Sequence, residues 1–258
     1  MHRILRRGKQ TCCRREGQAP KYCEEFGQEN DRVVVMLHGA FFTFAFGRQY
    51  CLADRYHIVV PHIMGFGRHT DRTFQTDEAL AELEEYIGGL GREVGLVGFS
   101  LGAQLGYALI SRRPDLFDKT VLVSPWLEKD AAEMQGILRE NEGQLKSLQN
   151  RAKCSLIALT CGVPGEQRKE LVRNMQNVSA ETVRNSVDNG IELTDEFRDI
   201  PVPVMALCGG REPDGVVSSV RRMGALNPLC QAQVWPKAAH NIPPMFAREF
   251  NRLLGDFL

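Results

Sequence analysis

Val94-Gly95-Leu96-Val97-Gly98-Phe99-Ser100-Leu101-Gly102 reads as a buried strand that runs into Gly-x-Ser-x-Gly and then into a helix. A serine with a glycine two residues away on either side can occupy a sharp strand-to-helix turn, where larger neighbours would clash. That turn holds the hydroxyl out over the sheet edge, which makes Ser100 a candidate nucleophile. In a chain with 24 glycines the pentapeptide alone could mark an ordinary turn serine, so its context decides. The required helix follows: Leu101, Leu105, Ala108 and Leu109 form an apolar stripe, while Gly102, Ala103 and Gly106 let it press on the strand. Pro114 stops it.

Upstream of the elbow, Arg32-Val33-Val34-Val35-Met36-Leu37 is a continuous apolar, β-branched run that predicts a central strand covered on both faces, ending in His38-Gly39. Ile58-Val59-Val60 predicts a shorter strand, ended by Pro61 and a Gly65-Phe66-Gly67 turn. Residues 77–90 carry acids in the first turn and apolar residues at 80, 83, 87 and 90, an amphipathic helix ended by Gly88, Gly89 and Gly91. Thr120-Val121-Leu122-Val123 predicts a further strand. Strands alternating with helices argue for a parallel α/β sheet.

From about Glu128 to Phe197 the composition turns to Glu, Gln, Asn, Arg and Leu, and only Cys154 to Thr160 interrupts the helix-rich pattern. This predicts an inserted helical cap over 128–197, with a turn at Pro164-Gly165 and a core formed by 1–127 and 198–258. The sheet resumes with Pro201 to Cys208, a strand introduced by prolines, then a helix from about Gly215 to Leu226, a strand at Gln231 to Trp235, and a last helix after Pro243-Pro244. That helix presents Phe246, Phe250, Leu253, Leu254 and Phe257 to the sheet.

Composition fits a soluble enzyme: 258 residues, 43% hydrophobic, 25% charged, formal net charge zero. Balanced charge gives no sign of a nucleic-acid partner. No stretch approaches the roughly 18 consecutive apolar residues of a membrane span, and the N-terminus lacks an apolar signal core, so a cytoplasmic location is expected. The basic lead-in with Arg3, Arg6, Arg7, Lys9, Arg14 and Arg15 reads as a solvated tail, or an edge strand. Eight cysteines are scattered without C-x-x-C pairs or companion histidines. They read as reduced thiols, Cys208 buried and Cys12 and Cys13 exposed, with no metal site and no cofactor.

A serine hydroxyl needs a base within hydrogen-bond reach and an acid that orients that base. Of six histidines, His2, His38, His57, His62 and His69 precede Ser100; only His240 follows it, in Lys237-Ala238-Ala239-His240-Asn241 between the last strand and last helix. His240 is the expected base, and His38 reads as a structural loop residue. The acid should follow a strand between serine and histidine, where Glu212 and Asp214 both stand. Asp214 precedes a helix and suits an N-cap; Glu212 has no such local duty and is favoured, with Glu128 a remote third. Oxyanion donors are expected from the N–H of Leu101 and of Ala40 or its neighbour Phe41. Phe41, Phe42, Phe44, Phe46 and Trp126 are candidates for an apolar pocket, Phe41 and Trp126 foremost. Phe42 and Phe46, four apart, could instead pack one helix face.

These elements resemble the α/β-hydrolase superfamily from about Val33 to Phe257: the strand ending His38-Gly39, the Gly98 to Gly102 elbow, the Ser…acid…His order, and a helical insertion between two strands. The resemblance implies a mostly parallel eight-stranded sheet flanked by helices. It implies Ser100 as nucleophile, His240 as base, Glu212 or Asp214 as acid, and Ala40 and Leu101 as oxyanion donors. The chain departs from it in offering Glu212 where members often have Gly-x-x-Asp, and His62 where many have Asp-x-x-Gly-x-Gly. Serine at the elbow argues against dehalogenase or epoxide hydrolase chemistry, which uses aspartate there. The expected activity is hydrolysis of a small apolar ester or related acyl substrate. The alternatives are a non-catalytic ligand-binding or signalling protein on the same fold, and an acyltransferase or carbon–carbon bond hydrolase with the same triad.

Overall fold

Alternation along each apolar run divides the core between the two faces of one sheet. In the computed structural model, which describes residues 22–148 and 150–258, strand β2 (Val33–Leu37) sends Val33, Val35 and Leu37 into one buried cluster and Val34 and Met36 into the other. Strand β4 (Val94–Phe99) does the same with Leu96 against Val97, and β5 (Phe117–Val123) with Leu122 against Val121 and Val123. The remaining strands are β1 (Cys23–Phe26), β3 (His57–Pro61), β6 (Val204–Gly209) and β7 (Cys230–Trp235). Their order is β1-β3-β2-β4-β5-β6-β7, parallel throughout except for β1, which pairs antiparallel with β3. Seven strands thus lie among the described residues, one fewer than the eight the resemblance implies. The basic lead-in, Cys12, Cys13 and His2 lie outside those residues.

Helix α1 (Thr76–Gly89) buries Ala79, Leu80, Leu83 and Ile87 and runs through Gly88 and Gly89, so the chain reverses only at Gly91, where φ is +68°. Helix α2 (Leu101–Arg112) is buried from Leu101 to Ile110. Leu105, Leu109 and Ile110 are fully enclosed, each contributing about 1.5–3 kcal/mol that fixes the helix against the sheet.

Between β5 and β6 come α3 (Ala131–Leu148), α4 (Arg151–Thr160), α5 (Arg168–Gln176) and α6 (Ala180–Val187). The strand-like interruption expected at Cys154 to Thr160 is instead helical. Asn150 caps α4 by accepting from the amides of Ala152 and Lys153, and the buried residues Cys154, Ala158 and Cys161 recur at helical spacing. Helix α7 (Asp214–Leu226) precedes β7, and α8 (Ile242–Met245) and α9 (Ala247–Phe257) close the chain, with Phe250 and Leu254 buried on the sheet. Residues 43–49 form turns rather than a helix, so Phe42 and Phe46 do not share a helix face; Phe46 is core and Phe42 half-buried. Among the described residues no helix is long and apolar enough to cross a membrane.

From β2 the chain passes to β3 on one side and then back to β4 on the other. Strand order reverses there, and in open α/β sheets the crevice that holds ligands lies outside the carboxyl ends of the strands at such a switch point.

Candidate active site

Ser100 sits at the carboxyl end of β4 with φ +54° and ψ −118°, a conformation that L-residues adopt only under strain. Its amide donates to Val123 O at 2.9 Å, extending the ladder, and its carbonyl accepts from Ala103 and Gln104 at 2.9 and 3.1 Å, starting α2. Two glycines make the turn sterically possible. A Cβ on Gly98 would lie 2.4 Å from Gly102 O, and one on Gly102 would lie 2.0 Å from Leu37 O. Both obstacles are backbone, so the elbow and β2 can approach only through glycine.

His240 arrives from the loop after β7. Its Nε2 is 3.0 Å from Ser100 Oγ and its Nδ1 is 2.6 Å from Glu212 Oε2. An ionised carboxylate only accepts, so Nδ1 carries the ring proton and Nε2 turns its lone pair to the serine hydroxyl. The Phe99 ring lies 5.0 Å from the imidazole centroid and itself packs against Phe42, linking the β4 end to the loop after β2. The loops after β6 and β7 interlock: Gly210 N donates to Trp235 O at 2.8 Å and Arg211 N to Ala238 O at 3.1 Å.

The Glu212 side chain is 1% exposed while that of His240 is 48% exposed. Burial opposes ionisation of Glu212. The hydrogen bond from His240 and its electrostatic attraction, the Gly209 amide and the Ser124 hydroxyl outweigh it and hold the carboxyl below its ordinary value. Oε1 accepts from both Gly209 N and Ser124 Oγ at 2.7 Å, leaving Oε2 to His240. Asp214 takes no part in this relay. It is exposed and is the first residue of α7, one place inside the N-cap position that Pro213 occupies, so the N-cap expected of it is corrected to a first-turn acid.

Leu101 opens α2, and among the described residues no backbone acceptor takes its amide or those of Ala40 and Phe41. Phe41 has φ +59°, and its buried ring packs edge-on against Phe66. Trp126 is buried, its Nε1 donating to Glu133 Oε2 at 3.4 Å and its ring carrying Lys129 at 5.4 Å. Of the candidate pocket aromatics, Phe42 is linked to His240 through the Phe99 ring that lies between them.

His38 fixes the loop between β2 and Ala40. Its Nδ1 donates to Gly39 O at 2.9 Å and its Nε2 accepts from Ile63 N at 3.1 Å, so neither nitrogen is free to act as a base. Burial first, then the nearby His62, lowers its pKa to about 3, against a smaller opposing effect of the Gly39 carbonyl. On unfolding, this imidazole regains its ordinary affinity and takes up a proton. Stability is therefore full above the ordinary 6.5 and falls as pH drops from there toward about 3. Urea unfolding above and below pH 6.5 should show this loss, and His38→Gln should flatten it. An equal slope in the variant would assign the loss to other groups.

Among the described residues no group of three or more His, Cys, Asp or Glu is gathered as a metal site.

The model of the Alpha/beta hydrolase family matches residues 34–253. No curated protein matches the sequence. Solved structures similar to this chain include a serine hydrolase from the polyaromatic hydrocarbon-degrading bacterium Cycloclasticus zankles, with TM-score 0.67, 17% identity, and 90% of this chain and 91% of that one covered. A meta-cleavage product hydrolase from Pseudomonas fluorescens aligns with TM-score 0.69 and 18% identity over 92% and 93% of the two chains. An esterase from Thermogutta terrifontis aligns with TM-score 0.67 and 18% identity over 91% of each. At these identities the neighbours speak to the fold, and the family match extends from the second residue of β2 to within α9. The chain belongs to the alpha/beta hydrolase family.

Proposed function

We propose that the protein is a serine hydrolase acting on a small, apolar ester or related acyl substrate. The observation that carries the reading is the unbroken relay from Ser100 Oγ through His240 to Glu212, at 3.0 and 2.6 Å. Ser100 Oγ attacks the substrate carbonyl as His240 Nε2 takes its proton, and Glu212 holds the imidazole in the required tautomer and faces the charge that forms. The amides of Leu101 and Ala40 receive the oxyanion, the first at a helix N-terminus where the dipole favours negative charge. His240 then protonates the leaving group, and water resolves the acyl-enzyme by the reverse path.

Residues 128–197 act as a lid on this crevice, with Phe41, Phe42 and Trp126 giving the acyl side its apolar lining. Cys51, Cys154, Cys161, Cys208 and Cys230 are free thiols, which fits a reducing compartment and a cytoplasmic location. The same triad would serve acyl transfer or carbon–carbon bond hydrolysis, and a non-catalytic binder would keep the fold without turnover.

A panel of nitrophenyl esters of increasing acyl length, assayed with wild type and Ser100→Ala, tests the reading. The expected result is hydrolysis that depends on Ser100 and weakens as the chain lengthens. Ser100-independent hydrolysis, or none by the folded wild type, would sink it.

A further inference from the structure

Only three residues other than glycine have positive φ among the described residues: Phe41 at +59°, Ser100 at +54° and Ser124 at +55°. The first stands in the loop after β2 and the second is the proposed nucleophile. Ser124 is the third, directly after β5 at the same carboxyl edge of the sheet. A glycine would adopt this conformation without strain, and Asn or Asp would tolerate it better than serine does. A hydroxyl at such a position therefore points to a use for the hydroxyl.

That use is visible. Ser124 is 1% exposed, its amide is tied to Leu207 O at 2.7 Å, and its Oγ donates to Glu212 Oε1 at 2.7 Å. With the Gly209 amide on the same oxygen, one carboxylate oxygen is pinned from two directions and the other is left pointing at His240. A glutamate has one more rotatable bond than an aspartate, so its carboxylate needs more restraint to stay on the imidazole. We propose that Ser124 is a positioning residue that locks the Glu212 carboxylate onto His240, and that its strained backbone is retained for that purpose. The assignment rests on the triad reading above.

The test compares the rate at which a fluorophosphonate labels Ser100 in wild type, Ser124→Gly and Ser124→Ala, each also made in a Glu212→Gln background. Glycine relieves the φ strain while removing the hydroxyl; alanine removes the hydroxyl alone. Both should label about ten- to a hundredfold more slowly than wild type, the scale of a misplaced catalytic group. In the Glu212→Gln background the same changes should have almost no further effect, because Ser124 acts only through that carboxylate. The low-field proton resonance of His240 Nδ1 should be sharp in wild type and broadened or lost in Ser124→Gly. Wild-type labelling rates in the Ser124 variants, or an unchanged penalty in the Glu212→Gln background, would overturn the assignment while leaving the triad standing. A wild type that is not labelled at Ser100 would overturn both.

Discussion

Glu212→Gln should lower Ser100-dependent ester turnover by about 10³- to 10⁴-fold, the scale seen when a triad acid becomes its amide, while Asp214→Asn leaves turnover near wild type. The direction follows from the donors around Glu212. Ser124 Oγ and Gly209 N both donate to Oε1, so the carbonyl oxygen of a glutamine must stay there and its NH₂ group must face His240. A donor against Nδ1 forces the ring proton to Nε2, and the nitrogen facing Ser100 can then no longer accept the hydroxyl proton. Asp214 has no such connection. As an exposed acid in the first turn of α7 it interacts with the helix dipole, so its loss should cost about 0.3–1 kcal/mol of stability. Turnover measured beside urea unfolding separates the two effects. A large catalytic loss in Asp214→Asn, or none in Glu212→Gln, would reverse the assignment.

Gly102→Ala should be the most damaging methyl group that can be added to this chain's elbow. The new Cβ would lie 2.0 Å from Leu37 O, 2.5 Å from Leu37 C and 2.7 Å from His38 O, all backbone atoms of the central strand or the loop that it feeds. No rotamer change relieves that contact, so either α2 or β2 must move. Overpacking of a core typically costs about 1–3 kcal/mol even where side chains can yield, and here they cannot. A fall in Tm of about 10 °C or more, or loss of soluble protein, is expected. Gly136, within α3, supplies the contrast: a Cβ there meets nothing within 4 Å, so Gly136→Ala should stabilise by about 0.4–1 kcal/mol. Comparable melting of the two variants would show that the close approach at Gly102 is not as described.

Much of this site is legible in the sequence because its chemistry is scarce. A single histidine follows Ser100, and of two nearby carboxylates one begins a helix, which leaves Glu212 for the imidazole. Strands covered on both faces, such as Val33–Leu37, announce themselves by unbroken apolar runs. Other parts carry no comparable signal. Strand β1 reads Cys-Glu-Glu-Phe because it is an antiparallel edge strand, and its buried Glu24 lies 3.7 Å from the equally buried His62. Helix α4 resembles a strand because two of its outward positions, Leu156 and Leu159, are apolar and more than half exposed, which blurs the pattern of the buried Cys154, Ala158 and Cys161. Ser124 has no local signature, since its role depends on Glu212, 88 residues away in sequence. The aromatics after His38-Gly39 carry no periodic signal that separates pocket from core, because residues 43–49 form turns and not a helix.

Every role proposed for this site requires that Ser100 be a nucleophile activated by His240. The most direct measurement is mass spectrometry of the intact protein and its peptides after exposure to a fluorophosphonate, for wild type, Ser100→Ala and His240→Ala. A single adduct on the Ser100 peptide of wild type is predicted, with none in Ser100→Ala and a rate at least about a hundredfold lower in His240→Ala. An adduct on another residue, equal labelling of all three proteins, or an unlabelled wild type that is otherwise folded would contradict it.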